Sequence, residues 1–187
     1  VETAKVIFNT QDVTEEQRQI AKVTFLSQTY GGGMGTLIQQ LNKPPEECWS
    51  ILKSFHNAWP GLGWETRRQK AEVGTLLWSL SRVIEQRGHI KTLWGRQLTP
   101  ESPHKRLNVL IQGCAADLMR YALINVHRSL SESLWKSHIV STVHDEIIVD
   151  AMMVEVEALM AIVPPLMKYP EIETMVPLEV DLEWSRT

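Results

Sequence analysis

Two adjacent carboxylates, Asp145 and Glu146, follow an aliphatic run that ends at Val143, and a second aliphatic run begins at Ile147. Hard cations such as Mg²⁺ prefer oxygen ligands and are commonly held by one or two protein carboxylates together with substrate phosphates. Asp145 is therefore a candidate Mg²⁺ ligand, with Glu146 as a weaker or supporting one. On residues 144–146 alone, an ordinary polar turn is the more common explanation.

A second candidate site consists of Arg18, Lys22, Leu26 and Tyr30, which are spaced four residues apart. In an α-helix this spacing places the four side chains along one face. The guanidinium and ammonium groups could bind a polyphosphate, and the aromatic ring could stack on a base. A solvated charged face is the usual explanation of an isolated Arg-Lys pair, so the pair alone does not decide the function.

Asn108 and Gln112 lie one helical turn apart and are followed by the small residues Gly113, Ala115 and Ala116, which would let another chain approach closely. Side-chain amides can reach acceptors in the DNA minor groove, where the pattern is nearly independent of sequence. Taken alone, such a pair is more often simply exposed on an amphipathic helix.

Two helices are predicted from local signals in the first part of the chain. Thr14 begins a capping box with Gln17 three residues later, which predicts a helix that runs to Tyr30 and ends at three glycines. Consecutive prolines at Pro44 predict the start of another helix, which ends before Pro60.

The second part of the chain is predicted to carry the remaining candidate residues on a helix and a hairpin. The segment from 105 to about 134 has one apolar face and is predicted to be the longest helix. The β-branched runs 139–143 and 147–149 predict a hairpin with residues 144–146 at its tip.

Four weaker patterns complete the prediction. Residues 65–87 have helical spacing of apolar side chains, and residues 89–98 predict a short hairpin around Gly95. Residues 155–167 predict a helix closed by proline, and residues 176–182 predict an edge strand.

The composition is that of a folded protein of roughly one domain or two small lobes, with 187 residues and 43% hydrophobic content. A net charge of −3 excludes nucleic-acid binding through bulk positive charge, so any such binding must be local. No uninterrupted apolar run approaches the roughly 20 residues of a membrane span. We expect no membrane partner and a cytoplasmic location. The first residue is Val1, which suggests a piece of a longer polypeptide.

The order and spacing of the candidates together are more specific than any one of them. Arg18-x-x-x-Lys22-x-x-x-Leu26-x-x-x-Tyr30-Gly31 resembles motif B, the nucleotide-binding motif of the family A (DNA polymerase I-like) DNA polymerases. Val143-His144-Asp145-Glu146 resembles motif C of the same family.

Further segments extend the resemblance over nearly the whole chain. The run from Asn108 to Asp117, with Gln112-Gly113 at its centre, resembles the segment that precedes the palm hairpin of these enzymes, and Leu93-Trp94-Gly95-Arg96 resembles their Gly-Arg turn. Residues 102–108 resemble phage replicative members, which would place the protein in a host cytoplasm.

The resemblance implies an α+β, predominantly helical fold, in which polymerase fingers helices join part of a palm with a small antiparallel sheet. It implies a truncated lead-in at residues 1–13, a fingers subdomain at 14–105, and a C-terminal palm subdomain at 106–187. The palm would carry the hairpin 138–150.

The implied function is template-directed DNA synthesis, with nucleotidyl transfer from a dNTP to a primer 3′ hydroxyl. Arg18, Lys22, Leu26 and Tyr30 would bind the dNTP, and Lys22 would join Asp145 and Glu146 as catalytic residues. Asp145 and Glu146 would hold metal, with two Mg²⁺ ions in the complete enzyme.

The implied partners are primer-template DNA, the dNTP and the remainder of the polymerase chain, with palm motif A, a thumb and possibly an exonuclease. Arg96 would contact the DNA backbone or hold the hairpin turn. The residues implied in DNA binding are Tyr30, Gly31, Arg96, His104, Asn108, Gln112 and His144.

Three positions depart from the family pattern. Leu26 stands where the family usually has Phe or Tyr, a ring near the nucleotide sugar, and Phe25 points about 100° away from it on a helix. His104 stands where many members have a DNA-contacting Arg. The second catalytic Asp of the family lies upstream of motif B, where this chain has only Asp12. We therefore expect this chain alone to be inactive.

Two alternatives remain open at this stage. His144-Asp145 could be the metal-binding doublet of a phosphohydrolase, with further ligands among His56, His104, His127 and His138, although the β-branched residues around the doublet argue against that all-helical architecture. The chain could also be a non-catalytic, polymerase-like module that binds DNA.

Overall fold

The computed structural model describes residues 1–63, 71–102, 105–132, 134–168 and 178–185. Within these ranges the chain is mostly helical with two small antiparallel sheets, which confirms the α+β, predominantly helical class. The helices are α1 Glu2–Phe8, α2 Glu15–Thr29, α3 Met34–Leu41, α4 Pro45–Ala58, α5 Leu76–Arg87, α6 Arg106–Glu132 and α7 Val156–Met167. The strands are β1 Ile90–Lys91, β2 Gln97–Leu98, β3 His138–Val143 and β4 Glu146–Asp150.

The chain divides into two compact units, Val1–Gly113 and Cys114–Thr187, with the boundary inside α6. In the first unit, one face of α2 packs against α1 and α4 through a core cluster. Its buried members are Ala4, Ile7, Ile20, Ala21, Ile51 and Phe55. Because this face of α2 is buried, the opposite face, which carries Arg18 and Lys22, is left exposed.

Helix α2 begins and ends as its sequence predicts. The Thr14 side chain accepts a hydrogen bond from the Gln17 backbone, and the Gln17 side chain accepts one from the Thr14 backbone, which completes the capping box. At the other end, Gly31 has a φ of 75° and donates to the Gln28 carbonyl, while Gly32 donates to the Ser27 carbonyl. This pair of bonds is a Schellman motif, which satisfies carbonyls that the helix end would leave unpaired.

The predicted hairpin around Gly95 is confirmed as β1 and β2, which pair antiparallel with Ile90 opposite Leu98. Ile90 is buried against Leu80 of α5 and Leu107 of α6. The hairpin therefore packs onto the first turns of α6 that belong to the first unit.

In the second unit, β3 and β4 form the predicted hairpin, with Val143 opposite Glu146. The register shifts between Ile139 and Ser141, so Val140 is an extra, bulged residue. One face of the hairpin packs against α6 and α7, where the buried core residues are Val126, Leu130, Leu159 and Val163. The partners on the hairpin are Ile139, Ile147 and Val149.

Several predicted boundaries are wrong. Helices α1 and α3 were not predicted at all. The helix expected at 65–87 begins only at Leu76, residues 71–75 are not helical, and residues 65–70 lie outside the described ranges. By contrast, the helix predicted at 155–167 is confirmed as α7, which runs through Pro164 and Pro165, both in its last turn, to Met167. Residues 178–182 form no strand, and residues 176–177 lie outside the described ranges.

Helix α6 is long and apolar enough to cross a membrane by length and composition, contrary to the expectation from uninterrupted apolar runs. This is weak evidence for a membrane span, because the core helix of a globular protein can pass the same test. Asp117 on this helix is buried and pairs with Arg120 at 3.1 Å, a charged arrangement that would be costly in a lipid bilayer.

Candidate functional site

Three of the predicted nucleotide-binding residues share one cleft in the first unit. Arg18, Lys22 and Leu26 on α2 line a cleft of about 350 Å³, together with Glu15 and Phe25. Arg18 Nη1 lies 3.6 Å from Glu15 Oε2, and both side chains are largely exposed, so this ion pair contributes little and an anionic ligand can replace it. The cleft thus offers two cations beside apolar surface.

Phe25 also lines this cleft, although the sequence predicted that its side chain points away from Leu26. Its ring packs edge-on against Phe55 with centroids 6.3 Å apart, and its side chain remains 44% exposed. An aromatic ring is therefore available beside Leu26 even though position 26 itself is aliphatic. Helical spacing alone could not show this, because wide side chains one position apart can still border the same cleft.

Tyr30 and Gln112, predicted separately as a stacking residue and a minor-groove residue, are in contact. The Gln112 Nε2 group donates to the Tyr30 hydroxyl at 3.1 Å across 82 residues of sequence. The Tyr30 side chain is 52% exposed, and Gln112 is exposed. Asn108, one turn earlier on α6, is half-buried. The structure therefore joins the ends of two predicted motifs into one exposed polar and aromatic surface.

The turn after Tyr30 requires two glycines for different reasons. Gly31 has positive φ, which side chains other than glycine rarely adopt. At Gly32 an added Cβ would lie 2.9 Å from the Ser27 carbonyl oxygen and would also collide with the Ser27 hydroxyl. The run of glycines had indicated only a break in the helix, whereas the requirement at Gly32 arises from the tight return of the chain over Ser27.

Arg96 connects the small hairpin to α6. Its Nη2 donates to the Gly113 carbonyl at 2.8 Å, and its backbone N–H donates to the Thr92 hydroxyl at 3.2 Å. A Cβ on Gly113 would lie 3.2 Å from Thr92 Cγ2 and would collide with Leu98, so the hairpin approaches the helix where α6 has no side chain. Of the two expected roles of Arg96, this geometry supports holding the turn, and the DNA contact stays a prediction.

The carboxylates of the second unit lie at the tip of the β3–β4 hairpin. His144 and Asp145 form a two-residue turn, and both are exposed, as is Glu146. His144 has a φ of 53°, an uncommon conformation for a residue with a side chain. Within the described ranges, no three His, Cys, Asp or Glu side chains come together as a metal site. The tip therefore supplies carboxylate oxygens but only part of a ligand set.

The base of the same hairpin is held by a clamp between Ser137 and Glu155 that the sequence did not reveal. The Ser137 hydroxyl donates to Glu155 Oε2 at 2.5 Å, and the backbone N–H groups of Lys136 and Ser137 donate to the same carboxylate. The Ser137 hydroxyl also accepts from the Met152 N–H at 2.9 Å. These bonds, with that from the Ser137 hydroxyl the largest contributor, lower the pKa of Glu155.

The other predicted residues are histidines. His104 lies outside the described ranges, so its DNA contact stays a prediction. The described candidates for a histidine-rich phosphohydrolase site are His56, His127 and His138, and no metal-binding cluster forms around any of them within the described part of the chain. His144-Asp145 lies between two β-strands, which does not fit the all-helical architecture of such phosphohydrolases.

Comparison with known proteins decides the family. The family model for DNA polymerase family A matches residues 1–187, the full length of the chain. The chain belongs to DNA polymerase family A. Family membership is what the resemblance implied, whereas the roles of Arg18 and Asp145 stay predictions.

Two bacterial relatives illustrate the match. The chain is 30% identical to DNA polymerase I of Chloroflexus aurantiacus, with 97% of this chain and 19% of the relative covered. It is also 30% identical to DNA polymerase I of Geobacillus stearothermophilus, with 99% and 21% covered. The chain therefore spans about a fifth of the length of these relatives. The expected closeness to phage members has no support among them.

A solved structure has the same fold. The POL domain of Pol1 from M. smegmatis, in complex with DNA primer-template and dNTP, superimposes with a TM-score of 0.73 at 24% identity. The superposition covers 88% of this chain and 30% of that one. This family A chain therefore has the fold of part of a polymerase domain.

Proposed function

We propose that this chain supplies the dNTP-binding helix and one catalytic aspartate to a template-directed DNA polymerase. The observation that carries the proposal is that Arg18, Lys22 and Leu26, the residues that resemble motif B, line one cleft. The reaction would transfer a nucleotide from a dNTP to a primer 3′ hydroxyl.

Each side chain at the cleft has a role that fits its chemistry. The planar guanidinium of Arg18 and the ammonium of Lys22 are both exposed and would bind the triphosphate, with Lys22 also neutralising charge on the leaving group. Leu26 and Phe25 would provide the apolar surface beside the sugar.

The surface formed by Tyr30 and Gln112 would face the primer-template DNA. Tyr30 would stack at the templating position, and Asn108, Gln112 and His144 would donate hydrogen bonds in the minor groove, where acceptors recur at every base pair. Gly31 provides the turn beneath the ring. His104 would contact the backbone of the DNA, and Arg96 would hold the Gly95 turn through the Gly113 carbonyl.

Asp145 and Glu146 would hold Mg²⁺ together with a carboxylate from outside this chain, since no three possible ligand side chains come together in the described part of the chain. A metal held there would supply charge neutralisation for the transferred phosphoryl group and orientation of the primer hydroxyl. Two exposed carboxylates at a hairpin tip fit this role, because each keeps oxygen lone pairs directed to solvent. In the complete enzyme we expect two ions.

The same proposal assigns residues 14–105 to the fingers and 106–187 to the palm, with residues 1–13 as a lead-in. The remaining polymerase segments, including palm motif A, the thumb and possibly an exonuclease, would be partners of this chain in the cytoplasm. The relatives are about five times longer, which is consistent with such partners.

The test uses a fusion, termed the joined protein, in which this chain follows the upstream polymerase segment of the Geobacillus relative. Asp145→Asn should reduce Mg²⁺-dependent primer extension at least 100-fold, while a gel shift with primer-template DNA changes less than about threefold, because phosphoryl transfer depends on charge neutralisation. The control is Asp150→Asn, an exposed acid at the far end of β4. Near-normal extension by Asp145→Asn would contradict the proposal.

The alternative that the chain is a non-catalytic DNA-binding module can be tested with the isolated chain. If the chain only binds DNA, Lys22→Ala will not measurably change the dissociation constant of the isolated chain for the dNTP. If the chain binds the dNTP as proposed, Lys22→Ala should raise the dissociation constant for the dNTP at least tenfold, because a charge-assisted hydrogen bond to phosphate is lost.

A further inference from the structure

Gln28, in the last turn of α2, has hydrogen-bond partners on both sides of its amide. Its Nε2 group donates to the Gly32 carbonyl at 3.0 Å, and its Oε1 lies 3.2 Å from His56 Nε2 on α4. The three residues therefore form a chain of hydrogen bonds from α4 to the turn after α2. Gln28 and His56 are 28 residues apart in sequence, so this link is tertiary.

The orientation of the amide fixes the protonation of His56. Because Gln28 Nε2 is the donor to Gly32, the atom that faces His56 is an acceptor, so His56 Nε2 must carry a hydrogen. Burial lowers the pKa of His56 to about 4, and the ring is therefore neutral at ordinary pH. The neutral tautomer with hydrogen on Nε2 completes the chain of bonds without a buried charge.

This chain of bonds holds the Gly31–Gly33 turn from one side while the Schellman motif holds it from the other. The Gly32 N–H donates to the Ser27 carbonyl at 2.6 Å, and the Gly32 carbonyl accepts from Gln28. Both polar groups of the Gly32 backbone are thus fixed to α2. Tyr30 immediately precedes the turn, the residue is 52% exposed, and its hydroxyl accepts a hydrogen bond from Gln112.

We propose that Gln28 and His56 are positioning residues for Tyr30. By connecting the Gly32 carbonyl to α4, they fix the backbone turn that follows Tyr30 and thereby the position of its ring. They act on the ring through Gly32 and do not touch a ligand. The functional significance of the ring position rests on the proposed function, in which Tyr30 stacks on the templating base. The position of the ring is itself a property of this chain and can be measured without DNA.

The first experiment observes the ring directly in the chain. The sequence has three tyrosines, so 3-fluorotyrosine labelling gives three ¹⁹F resonances, and Tyr30→Phe identifies the one of interest. We expect His56→Phe and Gln28→Leu to shift and broaden the Tyr30 resonance and to speed amide hydrogen exchange at Gly32 at least tenfold. His56→Phe keeps an aromatic ring against Phe55, so its melting temperature should fall only slightly.

Two matched variants separate positioning from general stability. His56→Gln retains an N–H donor toward Gln28 and should restore the wild-type Tyr30 resonance. Asn57→Ala changes the exposed neighbour on α4 and should leave it unchanged. A Tyr30 resonance unaltered in both His56→Phe and Gln28→Leu would overturn the proposal, as would a His56→Gln variant that behaves like His56→Phe.

The second experiment connects the ring position to catalysis in the joined protein. With 2-aminopurine as the templating base, His56→Phe should increase its fluorescence and lower kcat about tenfold, while KM for the dNTP stays within twofold because Arg18 and Lys22 are untouched. An unchanged kcat in His56→Phe would show that the position of the Tyr30 ring, as fixed by Gln28 and His56, does not affect catalysis. Absence of extension by the wild-type joined protein would count against the proposed function alone, since the ¹⁹F measurement decides the positioning separately.

Discussion

His144 adopts positive φ beside the carboxylate proposed to bind metal. Within the described ranges, the other non-glycine residues with positive φ are Asn9 and Asn42, which end helices α1 and α3. Asparagine tolerates this conformation at helix ends, and histidine is also among the residues that adopt it most often. Backbone strain of roughly 1–3 kcal/mol persists where surrounding structure or function maintains it. The location of this residue next to Asp145 agrees with a functional tip.

Leu26 provides a prediction about substrate selection. In the joined protein, Leu26→Phe should raise kcat/KM for dNTPs about fivefold and change the ratio of dideoxynucleotide to deoxynucleotide incorporation, because a ring gains roughly 1 kcal/mol by packing beside Phe25 and the sugar. Single-nucleotide incorporation kinetics measure both values.

The matched control for this prediction adds a ring elsewhere in the first unit. Val6→Phe places it at an exposed position of α1 and should leave both values at the wild-type level. Incorporation kinetics that do not differ between Leu26→Phe and wild type would show that position 26 does not border the nucleotide.

His56 gives a prediction about acid stability. Its pKa is about 4 in the folded chain and near the ordinary value of 6.5 in the unfolded one, so between these values the unfolded chain binds more protons. The stabilising contribution is complete above pH 6.5 and is lost as the pH falls toward 4. Urea midpoints measured from pH 7.5 to 4.5 should fall more steeply in wild type than in His56→Gln. Parallel curves for the two proteins would refute this.

At the scale of elements, the β3–β4 hairpin needs support at both of its ends. A two-stranded hairpin alone is only marginally stable in water. Packing of Ile139 and Val149 on the helices supports its middle, and the clamp between Ser137 and Glu155 closes the end opposite the tip. The bulge at Val140 directly follows Ile139, on the side of these supports that is nearer the tip. The clamp thus fixes where the hairpin begins, and so the register that places Asp145 in the turn.

The clamp predicts a specific loss in Glu155→Gln. The folded pKa of Glu155 is depressed by its hydrogen bonds, so its stabilising contribution is present above the unfolded value near 4.5 and is lost as the pH falls below it. At pH 7 the variant should show faster amide hydrogen exchange at Ser137 and a lower urea midpoint. Glu157→Gln, an exposed acid on α7, is the control. Equal exchange in the two variants would exclude the clamp as a support.

At the scale of the whole molecule, local signals predicted the elements that carry the site. The capping box at Thr14, the prolines before α4 and the β-branched strands gave α2, α4 and the β3–β4 hairpin. Helices α1 and α3 lack a side-chain cap, and α3 follows the glycines that had indicated only a break. Burial of Ile7 and Leu37 stabilises them instead, which is a tertiary effect. Contacts such as Tyr30 with Gln112 could not be predicted for the same reason.

The whole-molecule prediction concerns completeness of the active site. The chain alone should show no Mg²⁺-dependent primer extension, because the described residues form no complete metal site and the resemblance implies a second catalytic Asp upstream of Arg18. The joined protein should extend a primer under the same conditions. Extension by the isolated chain at a rate comparable to the joined protein would show that a metal site forms without the upstream segment.

Because Gln112 donates to the Tyr30 hydroxyl, two side chains of the proposed DNA surface are hydrogen-bonded to each other in the absence of DNA. A DNA molecule that recruits both side chains must first break this bond, at a cost of roughly 0.5–1.5 kcal/mol, which corresponds to as much as about tenfold in affinity. A duplex whose acceptors and templating base are both in place recovers that cost, whereas a misaligned one recovers only part of it. A contact within the free protein would therefore act as a threshold that distinguishes a properly seated primer end from a loosely bound one.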